Sequence, residues 1–455
     1  MATIIDSEAQ PTIDTLLDGF KKPDFDLRVV ETRYVDYNPI AGPRHTQVLR
    51  YIIPKSHGNF VKAVDKMILA LDLKITNSKK NGLPPLDINS GPCQNFLFSV
   101  FSGLRISYGN TTVLHLENYH LYSYLRMLLT CNAEDFKTWA SNRGFIPMDP
   151  EEEMDTVPNK AWTGRKKLFG GEITTPGPNK GKFSYSPVAY FLMGEIDQYL
   201  PCPALLPCDL TVELTLNKPS ICFQSKTGTE NDINFDFERA RLLVPEIKIN
   251  QKLYLQINSR LAKQALRQFF TSTQINTHSI SANSKKVEFD SIAVGSQPSR
   301  LVAIFMETDR LLGDITKNCF RFPREFGTGD TFLIKDVRCY LKSEEVDHLT
   351  LDDTNHSMRD HFFRLYHLTR QDTGKNSCTI SYEQFYKNSL IFIFDLTASL
   401  NDSDFPTLPL VRDGNVRLTV EFSSPCTIPM SLITFCDVQS AITIEHDGKV
   451  TLSTL

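Results

Sequence analysis

The 455-residue chain predicts an all-β protein made of two tandem sandwiches, a reading that rests on alternation, repetition and length. Apolar and polar residues alternate at period two through many short segments, the pattern of strands buried on one face. The block Ser184–Phe223 returns as Ser389–Phe435. The length suits two units, because a β-sandwich commonly runs to ~200–250 residues.

The repeat is legible piece by piece. In the first copy the apolar run Val188–Ile196 is followed by a Pro-rich turn, Leu200–Pro207. An alternating strand, Asp209–Leu216, a break at Asn217–Pro219 and a short apolar run, Ser220–Phe223, complete it. The second copy has Leu390–Leu396, a loop containing Phe405–Pro409, the alternating Asn415–Phe422, a break at Ser423–Pro425, and Met430–Phe435. LTVELTLNKP (210–219) stands against VRLTVEFSSP (416–425), with Val212, Leu214 and Leu216 matched by Val416, Leu418, Val420 and Phe422 as one-face apolar sets. A repeat of this length is a domain and not a solenoid unit.

Taken in order, residues 1–24 read as an arm with a short apolar patch at Ile13–Leu17. Strands are expected at Leu27–Tyr34 and Gln47–Ile53. Val61–Ile75 has the length of a helix but imperfect strand alternation, and Asn95–Tyr108 ends at the turn pair Gly109–Asn110. Asn118–Thr130 places Leu121, Leu125, Leu128 and Leu129 on one helical stripe, with Asn118 as its cap. Residues 132–182 pass from acidic (Asp149–Asp155) to basic (Arg165–Lys167) and are rich in Gly and Pro, so they read as a solvated excursion without internal ion pairing.

Ser225–Arg241 reads as a link to the second half. Leu242–Leu255 alternates, and Ser259–Phe270 has helical spacing with Ser259 as cap. Strands follow at Thr273–Ser281, Lys286–Phe289, Arg300–Met306 and Thr331–Leu341. Polar excursions are expected at about 311–330 and 343–380, the latter holding an aromatic helix at Arg359–Leu368. Ala441–Glu445 alternates before a turn at Asp447–Gly448.

Composition narrows the function. The 41% hydrophobic and 22% charged residues are ordinary for a globular protein and suffice for two cores. A net charge of −4 with no basic stripe argues against sequence-independent binding of nucleic acid. The start MATIIDSEAQ is no signal peptide, and no apolar run reaches the ~18 residues of a membrane span, so synthesis in the cytosol is expected. The ten cysteines form no Cys-x-x-Cys pair and read as reduced, packed thiols, neither disulfide framework nor zinc site.

Candidate chemistry is sparse. His356, His361 and His367 lie near Asp352 and Asp353, but spacings of five and six do not align imidazoles on a helix as i and i+4 would. Cys202 and Cys208 flank the Pro-rich turn without a neighbouring base. The stretch FGTGDT (326–331) lacks the Lys of a phosphate-binding loop. The 30 Phe and 15 Tyr fall mostly at core positions and read as packing. No catalytic, cofactor-binding or metal residue is assigned, and no enzyme is expected.

Asn95–Thr130, the pair Ile380–Phe385 (ISYEQF) and Phe394–Thr397 (FDLT), and Gly414–Pro425 (GNVRLTVEFSSP) resemble the major capsid (hexon) protein of Polinton/Maverick elements and adintoviruses. The resemblance spans about Tyr34 to Val450 as spaced matches. It implies a double jelly roll, with two eight-stranded rolls at about 25–238 and 239–455 after the arm 1–24. It also implies homotrimers that form nearly hexagonal tiles of an icosahedral shell, with the excursions as an outer tower and the arm along the inner face or to a neighbour. Neighbouring capsomers, a single jelly-roll penton and minor capsid proteins are the implied partners, and the virion the implied location. Two other readings stand beside it: a lectin-like binding module for a glycan or host protein, and a cupin-type metal enzyme.

Overall fold

The computed structural model describes residues 29–42, 47–64, 67–77, 90–131, 137, 144–149, 151–170, 182–185, 208–226, 233–293, 297–327, 331–351, 355–373, 380–397 and 415–454. The first sandwich uses β1 (Val29–Tyr37), β2 (Val48–Ile53), β3 (Ile68–Asn77), β4 (Phe101–Tyr108), β5 (Thr111–Glu117), β6 (Lys182–Tyr185), β7 (Leu210–Leu216) and β8 (Ile233–Ile249). One antiparallel sheet runs β1-β8-β3-β6 and the facing sheet β2-β7-β4-β5.

The second sandwich uses β9 (Leu266–Ile280), β10 (Lys286–Phe289), β11 (Pro298–Glu307), β12 (Phe332–Leu341), β13 (Glu344–Thr350), β14 (Ile391–Asp395), β15 (Val416–Phe422) and β16 (Met430–Ile444). Its sheets run β9-β16-β11-β14 and β10-β15-β12-β13. Subtracting eight from each label recovers the first unit. The aligned stretches of the sequence repeat, Leu210–Leu216 and Val416–Phe422, are thus the seventh strand of each sandwich.

Alternation explains each core. In β2, Leu49, Tyr51 and Ile53 are buried while Val48 and Ile52 face out. Leu210, Val212 and Leu214 of β7 and Val416, Leu418, Val420 and Phe422 of β15 do the same work in the two cores. Because successive strands reverse direction, the β1–β2, β3–β4, β5–β6 and β7–β8 connections gather at one end of the sandwich. Backbone hydrogen bonds from Cys93 to Cys222 (2.8 Å) and from Asn95 to Gly144 (3.2 Å) tie three of them together.

Several expectations change. The partner of Met430–Phe435 is not Ser220–Phe223 but β8, since Pro219–Cys222 folds into one helical turn with Ile221 and Cys222 buried. Met430–Phe435 and Ala441–Glu445 belong to one long strand. Ser225–Arg241 is not only a link, and the division at 238/239 falls inside β8, which pairs with β3 up to Leu243 and with β1 up to Ile249. The helix expected at Ser259–Phe270 lies earlier, at Gln251–Leu261, where the Asn250 side chain accepts from the Lys252 N–H at 2.9 Å. Val61–Ile75 resolves as strand at Phe60–Lys62 and in β3. The excursion expected from residue 343 begins later, because Glu344–Thr350 is β13. The aromatic helix is present and longer, Asn355–Thr373. The arm 1–24, the run Val188–Ile196, the turn Leu200–Pro207 and the loop Phe405–Pro409 lie outside the described residues.

Candidate functional site

The most elaborate polar construction lies between the two sandwiches. Helix α1 (Tyr119–Thr130), from the β5–β6 connection, packs on the outer face of the β9-β16-β11-β14 sheet. Both faces of β16 are therefore covered, which is why nearly every residue of that strand is buried. The Tyr122 ring stands 6.2 Å from Phe435, and the Thr273 hydroxyl lies 3.5 Å from the Tyr122 hydroxyl. Beside them, Arg300 donates to Asp437 Oδ2 through Nη2 (2.7 Å) and Nε (2.9 Å), and Thr273 donates to Oδ1 at 2.7 Å. Burial acts to raise the Asp437 pKa. Arg300, Arg126 and Thr273 outweigh it and hold the carboxyl below its usual range.

Asn118 stands before α1 with φ 51°, a left-handed conformation that Asn tolerates. Its side chain does not cap the helix as expected; Nδ2 donates across the seam to Thr277 Oγ1 at 3.3 Å. Further along α1, Tyr124 rests 4.5 Å from Phe320, and His120 lies 6.3 Å from the same ring. The predicted stripe of leucines is thus part of a helix buried almost all round, with Tyr119, Tyr122 and Tyr124 included.

Residues 144–149 and 151–170 continue the seam. This corrects the solvated reading of the excursion. Asp155 accepts from Arg310 Nη1 and Nη2 (2.7 and 2.8 Å), Arg321 Nη1 (2.7 Å) and the Asn318 N–H (2.8 Å), all in the β11–β12 connection of the second unit. Burial would raise its pKa, but the two guanidinium groups and the amide hold it below the usual carboxylate value. The Asn388 side chain accepts from the Met154 N–H at 3.2 Å and donates to Glu152 O at 2.9 Å, while Gln384 donates to Met148 O. Gln224 joins the third connection, donating to Met154 O at 3.0 Å and accepting from Asn318 Nδ2 at 3.1 Å.

Glu153 and Asp155 of the acidic stretch therefore pair with the other sandwich, while Asp149 pairs with the exposed Lys160 of the same excursion. Arg165, in helix α2 (Lys160–Gly170), is fully buried and donates through Nε to Pro92 O at 3.0 Å and through Nη1 to Gln94. Burial lowers its pKa to about 10. No local sequence signal distinguishes Asp155, Arg310 or Arg321 from solvated charges, since each partner comes from a distant connection.

The residues weighed for chemistry do not converge. His361 is buried against Phe385 and Phe392 (centroids 5.3 and 5.0 Å), and burial, with the Arg364 charge, lowers its pKa to about 3. His367 is exposed, while Asp352, Asp353 and the His356 side chain lie outside the described residues. Cys208 is half-buried with its thiol pKa raised by burial and the Asp209 charge, the reverse of an activated nucleophile; Cys202 lies outside the described residues. Phe326 of FGTGDT packs 5.7 Å from Phe332, and residues 328–330 lie outside the described residues. Among the described residues no group of three or more His, Cys, Asp or Glu side chains could hold a metal ion, and no helix is long and apolar enough to cross a membrane. The seam ties the two sandwiches together through charge pairs and tilted or edge-on ring contacts.

No family model and no curated protein matches the chain in sequence. Solved structures do match it in fold. A structure of the Sputnik virophage superposes with a TM-score of 0.60 at 10% identity, covering 95% of this chain and 90% of that one. The Faustovirus major capsid protein gives 0.56 at 8% identity, with 92% of each chain covered. The chain has the double jelly-roll fold of viral major capsid proteins. A quasi-atomic capsid of PBCV-1 gives 0.55 at 8% identity, covering 95% of this chain and 99% of that one. In this double jelly roll the seam joins the end loops of the two rolls, and the expected all-β architecture holds across both.

Proposed function

We propose that the chain is a structural major capsid protein that forms pseudo-hexameric homotrimers tiling an icosahedral shell. The observation that carries the reading is the duplicated strand order within one chain, held by a buried seam. Three copies of a subunit with two like units put six similar sandwiches around one axis, which approximates a hexagonal tile under threefold symmetry. Similarity in fold to the Faustovirus major capsid protein and the PBCV-1 capsid supports it. The sequence resemblance to the Polinton/Maverick and adintovirus hexon extends the proposal to that group. Neighbouring capsomers, a single jelly-roll penton and minor capsid proteins are its partners, the virion is its site, and it has no enzymatic role.

The test is the mass of the purified chain by light scattering on a size-exclusion column, with negative-stain imaging of the same peak. A species of three 51.7 kDa chains with hexagonal outlines, or closed shells, is expected. A monomer under all assembly conditions overturns the proposal and points to a lectin-like binding module.

A further inference from the structure

At the end of the molecule away from the seam, helix α3 (Gln251–Leu261) connects the two rolls without burying any of its residues. Tyr254, Ile257 and Leu261 share one face of it and line a groove of about 990 Å³ between the helix, the loop after β2 and the end of β16. The groove has an apolar floor and a basic rim. Lys55, Arg260, Lys263 and Arg267 line it against a single carboxylate, Glu445. An apolar helix face beside concentrated positive charge fits an acidic amphipathic segment better than a bare phosphate backbone, which has no use for the floor.

Such a segment begins next to the groove. Val29, the first residue of β1, pairs with Ile249, and the Asn250 cap of α3 follows directly. The described chain therefore begins at the foot of this helix, where residues 1–28 join it. They carry Asp6, Glu8, Asp14, Asp18, Asp24 and Asp26 against Lys21, Lys22 and Arg28. Ile13, Leu16, Leu17 and Phe20 recur at i, i+3, i+4 and i+7, the spacing of one helical face. An 11-residue helix is only ~16 Å long, while the chain from Leu17 to Val29 spans up to ~40 Å, so the reach is ample.

We infer that the N-terminal segment of the same chain docks in this groove. Ile13, Leu16, Leu17 and Phe20 cover the Tyr254–Ile257–Leu261 face, and Asp14 and Asp18 meet the Lys263, Arg260 and Lys55 rim. The docked segment straps the two rolls together opposite the seam. The inference does not depend on the capsid reading.

Hydrogen exchange on the full chain and on a chain beginning at Asp24 tests it. Removal of the segment, or Leu16→Asp with Leu17→Asp in the full chain, is expected to speed amide exchange in Gln251–Leu261 at least tenfold while β16 stays unchanged. Carbodiimide cross-linking of an equal mixture of ¹⁴N and ¹⁵N chains is expected to join Asp14 or Asp18 to Lys263 or Lys55 within one chain. Equal exchange with and without the segment overturns the inference. So do cross-links that join light to heavy chains, which assign the segment to a second copy. Protection of α3 by a short DNA duplex, equal with and without the segment, assigns the groove to nucleic acid and overturns it as well.

Discussion

Asp155 of the first roll receives a two-pronged hydrogen bond from Arg310 of the second, at 2.7 and 2.8 Å, across 155 positions of sequence. The Arg310 side chain is only 3% exposed, so its charge depends on this carboxylate and on Glu307, whose Oε2 lies 3.4 Å from Nε. Asp155→Ala removes the two-pronged partner and leaves Glu307 as the remaining counterion, and is expected to cost ~2–3 kcal/mol in urea unfolding. Asp155→Ala with Arg310→Met should cost less than the sum of the two single changes. Additive losses would show that the pair is not coupled.

His120 and His361 set the acid limit of the fold. Burial lowers both pKa values to about 3, against an ordinary 6.5. Between those values the unfolded chain binds a proton at each imidazole and the folded chain does not, so stability falls as pH drops below 6.5. The slope is ~1.4 kcal/mol per pH unit for each histidine. Asp155 and Asp437, with pKa values held low, lose their contribution only as pH falls below the ordinary carboxylate range. Urea midpoints at pH 7.5, 6 and 5 should therefore decline, and the decline should flatten when both histidines are replaced by Leu. An unchanged slope in that variant would place the sensitivity elsewhere.

Gly313 is required by both its conformation and its neighbour. Its φ is +92°, and a Cβ there would fall 2.6 Å from Ser220 Oγ, across the seam. Gly58 has φ +58° with nothing within 4 Å of a Cβ. Gly58→Ala should cost only the backbone penalty, ~1 kcal/mol, and Gly313→Ala clearly more, ~2–3 kcal/mol. Thermal unfolding of the two variants compares them directly, and equal losses would show that the loop yields at Ser220.

Asn118 offers a milder version of the same test. Its left-handed backbone suits Gly, so Asn118→Gly should change stability by less than ~1 kcal/mol, the loss coming mainly from the Thr277 contact. Asn118→Val forces a β-branched residue to positive φ and should cost ~1–2 kcal/mol. Similar melting temperatures for the two variants would argue that the helix start relaxes.

Apolar alternation makes much of the architecture legible in the sequence itself. Val212 and Leu214 in one roll and Leu418 and Val420 in the other announce matching half-buried strands, because a period of two is imposed locally by the pleat. The strand β8 is harder to see: its first half alternates Ile233, Phe235 and Phe237 with polar residues but slips phase at a bulge between Phe237 and Arg239, so the run reads as a link. The seam could not be read at all. Asp155, Arg310 and Asn388 carry the same polar signature as solvated loop residues, and only the antiparallel reversal of strands brings their connections to one end of the molecule. Whether a charge faces water or a buried guanidinium is decided by chain segments more than a hundred residues away, and no local pattern encodes that distance.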